Sequence, residues 1–148
     1  MRGNGVKAIL TGGCLCGAVQ YRAETGSVLH YYCHCSDCRR YGGGAYHAAI
    51  VVSAPALDVS GDVAVWTKTA DSGRSVARHA CARCASHLFT SPWPKPLRYS
   101  VKAGSLDDPA RFKPAYEIWT ASRVAWAAPA GDLTEFPAGF EGALPAWE

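Results

Sequence analysis

Seven cysteines in three tight groups constrain this chain more than anything else in it: Cys14 and Cys16, then Cys33, Cys35 and Cys38, then Cys81 and Cys84. Closely spaced thiols carry an oxidative liability, and two chemistries account for them, disulfides or metal. Seven is odd, so complete internal pairing leaves one thiol over. Cysteines two apart on an extended chain do not easily close a disulfide on each other, because the bond restricts the separation of the two residues. The opening residues, MRGNGVKAIL, lack a long apolar stretch of secretory type. This predicts a reducing, cytoplasmic compartment, where thiols stay free for metal. Metal is the expectation, and a disulfide framework with one spare thiol is the rival.

The remaining composition narrows the classes. A chain of 148 residues fits one domain over positions 1–148 and can bury a real core. Hydrophobic residues make up 49% of it, with no uninterrupted apolar run long enough to cross a bilayer, so no membrane role is expected. The formal charge of +3 counts the thiols as neutral, and seven thiolates on two zinc ions would cancel it. The basic residues are scattered, with Arg39–Arg40 the one adjacent pair. Nucleic-acid binders more often show a clustered basic stripe, so no nucleic-acid partner is expected.

The chain reads as many short strands broken by Gly and Pro, with no internal repeat. Strands are expected at Ala8 to Leu10, Ala18 to Arg22, Val28 to Tyr32 and Tyr46 to Ser53. Asp62 to Thr67 and Ser75 to His79 read as a pair around a turn at Asp71-Ser72-Gly73. Ser86 to Thr90 follows, then Pro92, Pro94 and Pro96 interrupt regular structure before Leu97 to Lys102. Tyr116 to Thr120 is the expected last long strand. One short helix is predicted at Asp37 to Tyr41, with Ser36 as N-cap and Gly42 to Gly44 as the stop. A second is expected near Leu106-Asp107-Asp108-Pro109. The tail, 129–148, is expected to wrap over the core, anchored by Phe136, Phe140 and Trp147. The class is mainly β, of short antiparallel strands with one or two short helices.

Seven thiols divide naturally as four plus three, since zinc prefers four tetrahedral ligands. Cys81-Ala-Arg-Cys84 can direct both sulfurs at one ion while backbone amides point at them. Cys14-Leu-Cys16 is the obvious second pair, because residues two apart on a strand share a face. Such a site closes a loop of about seventy residues and reads as structural. Cys33-His-Cys-Ser-Asp-Cys38 supplies three thiolates within six residues. Three protein ligands leave an open corner, the mark of a catalytic zinc, unless His34, His47 or another histidine closes it. His34 lies between two of these cysteines and faces away on an extended segment, which suits a supporting or core role better than ligation. Thiolate-rich tetrahedral sites point first to zinc and then to iron–sulfur.

The segments GGCLCGAVQY (Gly12 to Tyr21), CHCSDCRRYGG (Cys33 to Gly43) and CARCASHL (Cys81 to Leu88) resemble the glutathione-dependent formaldehyde-activating enzyme family, whose domain is shared with centromere protein V. The stretch from Pro114 to Trp126 is similar to the family's final strand and turn, except that Glu117-Ile-Trp stands where other members carry a histidine. The resemblance covers about residues 10 to 126. It implies a tent-like, zinc-binding β fold with two zinc ions. By similarity, Cys14, Cys16, Cys81 and Cys84 hold the structural zinc, and Cys33, Cys35 and Cys38 the catalytic one. The implied activity is that of a carbon–sulfur lyase forming S-hydroxymethylglutathione from glutathione and formaldehyde, with a small-molecule thiol and an aldehyde as partners.

Two functions follow from different classes. The first is an enzyme acting on a thiol adduct of a small aldehyde at the open zinc. Glutathione carries two carboxylates, and Arg39, Arg40, Arg78 and Arg83 are candidates to pair with them. Each is equally a candidate for a solvated surface position. Tyr41, Tyr46, Trp66 and Trp119 are candidates for a pocket wall or for the core. His34, His47, His87 and Glu117 are candidate general bases. The second function is a zinc-stabilised binding module without chemistry, in which both sites serve folding.

Overall fold

The computed structural model of the chain describes residues 7–26, 29–129 and 131–140. Eleven strands and one α-helix appear among them. Strands β1 (Ala8–Gly13) and β2 (Gln20–Thr25) form a hairpin, and β5 (Leu57–Ser60) adds to β2 to complete a three-stranded antiparallel sheet. The larger sheet comprises β3 (His30–Cys33), β4 (His47–Ser53), β6 (Val63–Thr69), β7 (Ser75–Cys81), β8 (His87–Pro92), β9 (Arg98–Lys102), β10 (Tyr116–Ile118) and β11 (Thr134–Glu135). Its order is β11-β10-β3-β4-β9-β8-β7-β6. The mainly β expectation is met. Two pairs depart from the antiparallel rule: β10 runs parallel to both β3 and β11.

The core explains why β4 is an apolar run and not an alternating one. Ile50 and Val52 belong to a cluster with Leu10, Val19 and Tyr21 from the small sheet and Phe89 and Val101 from the large one. Ala49 and Val51 belong to a second cluster with Leu29, Tyr31, Cys33 and Ile118. Successive β4 side chains point to opposite faces, so β4 is covered on both sides. Each fully buried aliphatic or aromatic side chain contributes about 1.5–3 kcal/mol relative to exposure. One face of the large sheet therefore packs against the small sheet. The other carries the helix α1 (Ser36–Gly42) and the aromatic rings of the tail.

Local chemistry corrects several boundaries. Ala18 to Arg22 starts two residues too early, because residues 14–19 form a knuckle: the Cys14 amide donates to Val19 O at 3.0 Å and Gly17 adopts φ 81°. The N-cap of α1 is Cys35 and not Ser36: its sulfur accepts from the Cys38 amide at 3.3 Å. The predicted glycine stop holds, with Gly43 left-handed at φ 73°. The second helix is only a 3-10 turn at Pro109–Arg111, capped by Asp108. Tyr116 to Thr120 shrinks to three residues, because Trp119 turns left-handed at φ 57°. Pro92 is the last residue of β8, where it faces Val76. The hairpin around Asp71-Ser72-Gly73 forms as expected, with β6 and β7 paired from Val63 to Cys81. In the tail, Phe136 and Phe140 stack edge-on at 5.3 Å and pack on the second cluster. Val28 and Trp147 lie outside the described residues.

One glycine is required where the sheets meet. A Cβ at Gly12 would collide with the Ser105 carbonyl and the Tyr21 ring, where Gly12 bridges to Leu106. Gly12→Ala should lower unfolding stability by about 2 kcal/mol, as overpacking does. Gly44→Ala, which meets nothing within 4 Å, should be nearly neutral. Urea denaturation of both checks this, and equal midpoints would contradict it.

Candidate metal centres

The knuckle between β1 and β2 carries Cys14 and Cys16, and the turn leaving β7 carries Cys81 and Cys84. The fold brings the two turns together from different sheets, and all four sulfurs lie within 4.8 Å of one another. Cys14 and Cys16 sulfurs are 3.6 Å apart, and Cys16 and Cys81 sulfurs 3.9 Å. A tetrahedral zinc with bonds near 2.3 Å has sulfur–sulfur edges of roughly 3.8 Å, so the donor set fits that ion. All seven cysteines are free thiols, which answers the disulfide rival.

Backbone amides support these sulfurs. Val19 N donates to Cys14 Sγ at 3.2 Å, and Arg83 N and Cys84 N donate to Cys81 Sγ at 3.3 and 3.4 Å. Left-handed Ala85, at φ 62°, lets the Cys81 amide reach Ser86 O at 2.9 Å. Ser86 also links the two turns: its Oγ lies 3.1 Å from Cys84 Sγ and accepts from Leu15 N at 3.0 Å. The Ser86 contacts hold the Cys84 thiol down at about 5. The Val19 amide lowers Cys14. Cys16 is pushed up to about 11: the Ala18 amide lowers it, but burial and three crowding thiols outweigh that. A divalent cation relieves this competition by replacing the shared protons.

The second set is built on the start of α1. Cys33 ends β3, Cys35 caps the helix and Cys38 sits in its first turn. Their sulfurs lie within 4.8 Å of one another, and among the described residues no histidine or carboxylate atom completes the group. Hydrogen bonds from the Cys33 and Cys38 thiols pull Cys35 down to about 2. Sharing protons with Cys35 pushes Cys33 up. Cys38 rises to about 12, since the Cys35 charge and burial outweigh its bond to Cys33. One charge held among three thiols is again a donor set suited to a cation.

His34 points away from this group, as its position between two cysteines predicts. It is 0% exposed, and its Nε2 lies 2.8 Å from Glu117 Oε1. The same carboxylate oxygen takes Arg123 Nη2 at 3.2 Å, and Arg123 reaches Glu135 at 2.7 Å. This chain of polar contacts ties the end of β3 to β10 and β11 behind the cysteines. His47 faces Cys33 directly across the β3–β4 pair, so both side chains share one sheet face. Its Nδ1 lies 2.7 Å from Lys102 Nζ. Burial and the Lys102 charge hold the His47 imidazole well below its usual range. A cleft of about 620 Å³ opens here, lined by Cys14, Tyr46, His47, His87 and Lys102 among others.

Other candidates separate clearly. Arg40 and Arg83 are exposed, Arg39 is half-buried, and Arg78 is buried. Trp66 is 59% exposed on the edge strand β6 and belongs to neither core nor pocket. Trp119 packs on the second core cluster. Tyr41 stacks on His87 at 4.0 Å. Sequence reading missed Ser86 and Lys102. The available signal for Lys102 was a polar alternation, Ser100 and Lys102 against Tyr99 and Val101, on a strand covered on both faces.

The Ser86 contacts predict a graded effect on metal. Ser86→Ala should weaken metal binding at the four-cysteine set by roughly 10- to 100-fold, as loss of a ligand-supporting hydrogen bond does, without unfolding the chain. Competition with a chelating dye measures this, and an unchanged affinity would contradict it.

Comparison with known proteins agrees with this arrangement. A sequence model described as glutathione-dependent formaldehyde-activating enzyme matches residues 9–122. A Halomonas elongata protein provisionally named a glutathione-dependent formaldehyde-activating enzyme is 36% identical over 94 residues. That match covers 59% of this chain and 60% of the relative's length. A crystal structure of a Rhodobacter sphaeroides protein superposes with a TM-score of 0.53 at 24% identity, covering 68% of this chain and 93% of that one, and so shares the fold. With its cysteine groups inside the matched span, the chain belongs to the glutathione-dependent formaldehyde-activating enzyme family.

Proposed function

We propose that this chain is a carbon–sulfur lyase that makes or splits the adduct between a glutathione-type thiol and a small aldehyde such as formaldehyde. The observation that carries the reading is the three-cysteine set: three sulfurs converge with no fourth side chain among the described residues, beside a cleft that reaches His47. A folding module gains nothing from an incomplete ligand set whose neighbour across the sheet, His47, lines a cleft. The family membership and the name of the Halomonas elongata relative support the same substrates.

In this reaction the thiol sulfur bonds to the carbonyl carbon, and the thiol proton ends on the carbonyl oxygen. Nothing is oxidised, and the reverse reaction breaks the same bond. Zinc held by Cys33, Cys35 and Cys38 would supply a Lewis acid with one corner open to substrate, and a second zinc on Cys14, Cys16, Cys81 and Cys84 would have none and serve structure. The protein's own contribution is position. Cys35 is fixed as a helix cap, Cys33 ends a strand buried in the core, and the His34–Glu117–Arg123 chain holds that segment from behind. Tyr46 and His47 wall the cleft. Seven free thiols suit a reducing, cytoplasmic compartment.

The test separates chemistry from folding. The purified protein, mixed with glutathione and formaldehyde, should speed adduct exchange as followed by NMR. Cys35→Ser should cut that rate by about 100-fold or more, on the order of 3 kcal/mol in the barrier. Its melting midpoint should fall less than that of Cys81→Ser. No acceleration by the intact protein would remove the proposed activity. Equal unfolding of the two variants would reverse the assignment of roles.

A further inference from the structure

The large sheet ends on a strand whose outer edge pairs with no other strand among the described residues. Strand β6 is seven residues long, and all but its first are exposed. It stands last in the sheet order, bonded to β7 along one edge. The alternation of that ladder fixes which groups the other edge presents. Ala70 N donates to Arg74 O at 2.8 Å and Ala82 N to Asp62 O at 3.0 Å, both continuing the β6–β7 register. In an antiparallel pair every second residue makes such bonds, so the even-numbered residues of β6 bond to β7. The amides and carbonyls of Val63, Val65, Thr67 and Thr69 therefore point outward. Strand β7 agrees, since its odd-numbered Ser75 accepts from Trp93 N at 3.1 Å on the β8 side. Among the described residues none of those outward backbone groups has a hydrogen-bond partner.

Open edges invite pairing, and proteins blunt them with proline, charge or shortness. The opposite end of this sheet, β11, holds two residues. Strand β6 has no proline, and Lys68 is its one charged residue. That ammonium is held by Asp37 at the start of α1, at 2.6 Å. Valine, threonine and tryptophan suit extended backbone, and Val65 and Trp66 stand 47% and 59% exposed.

The edge is complementary to itself. Its four outward residues are spaced evenly about Trp66. Two copies laid antiparallel with Trp66 facing Trp66 pair Val63 with Thr69 and Val65 with Thr67, twice each. Every outward amide and carbonyl then finds a partner. Trp66 takes the non-hydrogen-bonded position, where facing side chains approach most closely and aromatic pairs gain from it. Lys68 faces Ala64 of the second copy and lies diagonal to its exposed Asp62. A slip of two residues either way leaves one outward residue on each copy without a strand partner. A slip of four sets Lys68 against Lys68 or leaves half of the outward groups unpaired.

We propose that β6 is a self-association edge, on which a second copy of this chain lays its own β6 antiparallel, centred on Trp66, to form one sheet through two molecules. A strand pair of this length covers less than the roughly 800 Å² per partner of a standard interface. The dimer is therefore a concentration-dependent one.

Sedimentation equilibrium of the zinc-loaded protein tests this. The chain should pass from monomer to dimer with a Kd on the order of 10–100 µM. Trp66→Lys sets lysine against lysine at the two-fold axis and should weaken association about tenfold or more. Thr67→Pro removes an outward amide that β7 does not use and should do the same. Both variants should keep the melting midpoint of the intact chain in dilute solution. Trp126→Lys, at a tryptophan 71% exposed in a turn outside β6, should leave association unchanged. A monomer at every concentration up to about 1 mM overturns the proposal, and that measurement needs no variant. A dimer that withstands Trp66→Lys and Thr67→Pro overturns it as well. So does equal weakening by Trp126→Lys, which would make the association general apolar contact and not strand pairing. Unfolding of Thr67→Pro in dilute solution would place that amide in the β7 ladder and overturn it too.

Discussion

Convergence of four sulfurs from two sheets is the contact on which the rest of the fold depends. The knuckle after β1 and the turn after β7 are far apart in sequence, yet their sulfurs lie within 4.8 Å. Thiols this close compete for protons and resist shared ionisation. A divalent cation would turn that repulsion into attraction and join the small sheet to the large one. The Phe89, Tyr21 and Val101 cluster is sealed between those sheets, so the clamp and the core stabilise the same interface. A metal bound here would act as folding energy.

The second cysteine group has the opposite design. Its ligands come from six consecutive residues, so it ties little together. Its surroundings are instead polar: a histidine–carboxylate–arginine chain on one side, and His47 with Lys102 on the other. Such order is costly to build and adds little to stability, since buried ion pairs seldom exceed hydrophobic replacements. It fits a place where charge must be handled during a reaction. A single sheet separates the two groups, with β4 buried on both faces. The clamp reaches the cleft through Cys14 and so helps to fix the platform on which His47 and Lys102 stand.

Much of this was legible in the sequence, for physical reasons. The division of seven cysteines into four and three follows from ligand number and from short-range spacing. The run from His47 to Ser53 announces a strand covered on both sides, and the glycine after α1 marks a left-handed stop. Other features escaped because their causes lie far away in the chain. Strands β5, β10 and β11 hold only two to four residues and exist because a distant strand offers hydrogen bonds. A sulfur caps α1 where capping rules look for oxygen. Lys102 acquires meaning only across the sheet, where it faces Ala49, two residues along β4 from His47 and on the same face. Arg78 looked like any of four arginines until burial separated them.

The central claim is that the cysteines hold two metal ions in two kinds of site. X-ray absorption on the purified protein, combined with elemental analysis, tests it directly. The account predicts about two zinc ions per chain, sharing seven sulfurs, so that the average zinc has fewer than four sulfur neighbours and one lighter atom completes the shell of one site. One zinc per chain with four sulfurs, or no bound metal at all, would contradict it.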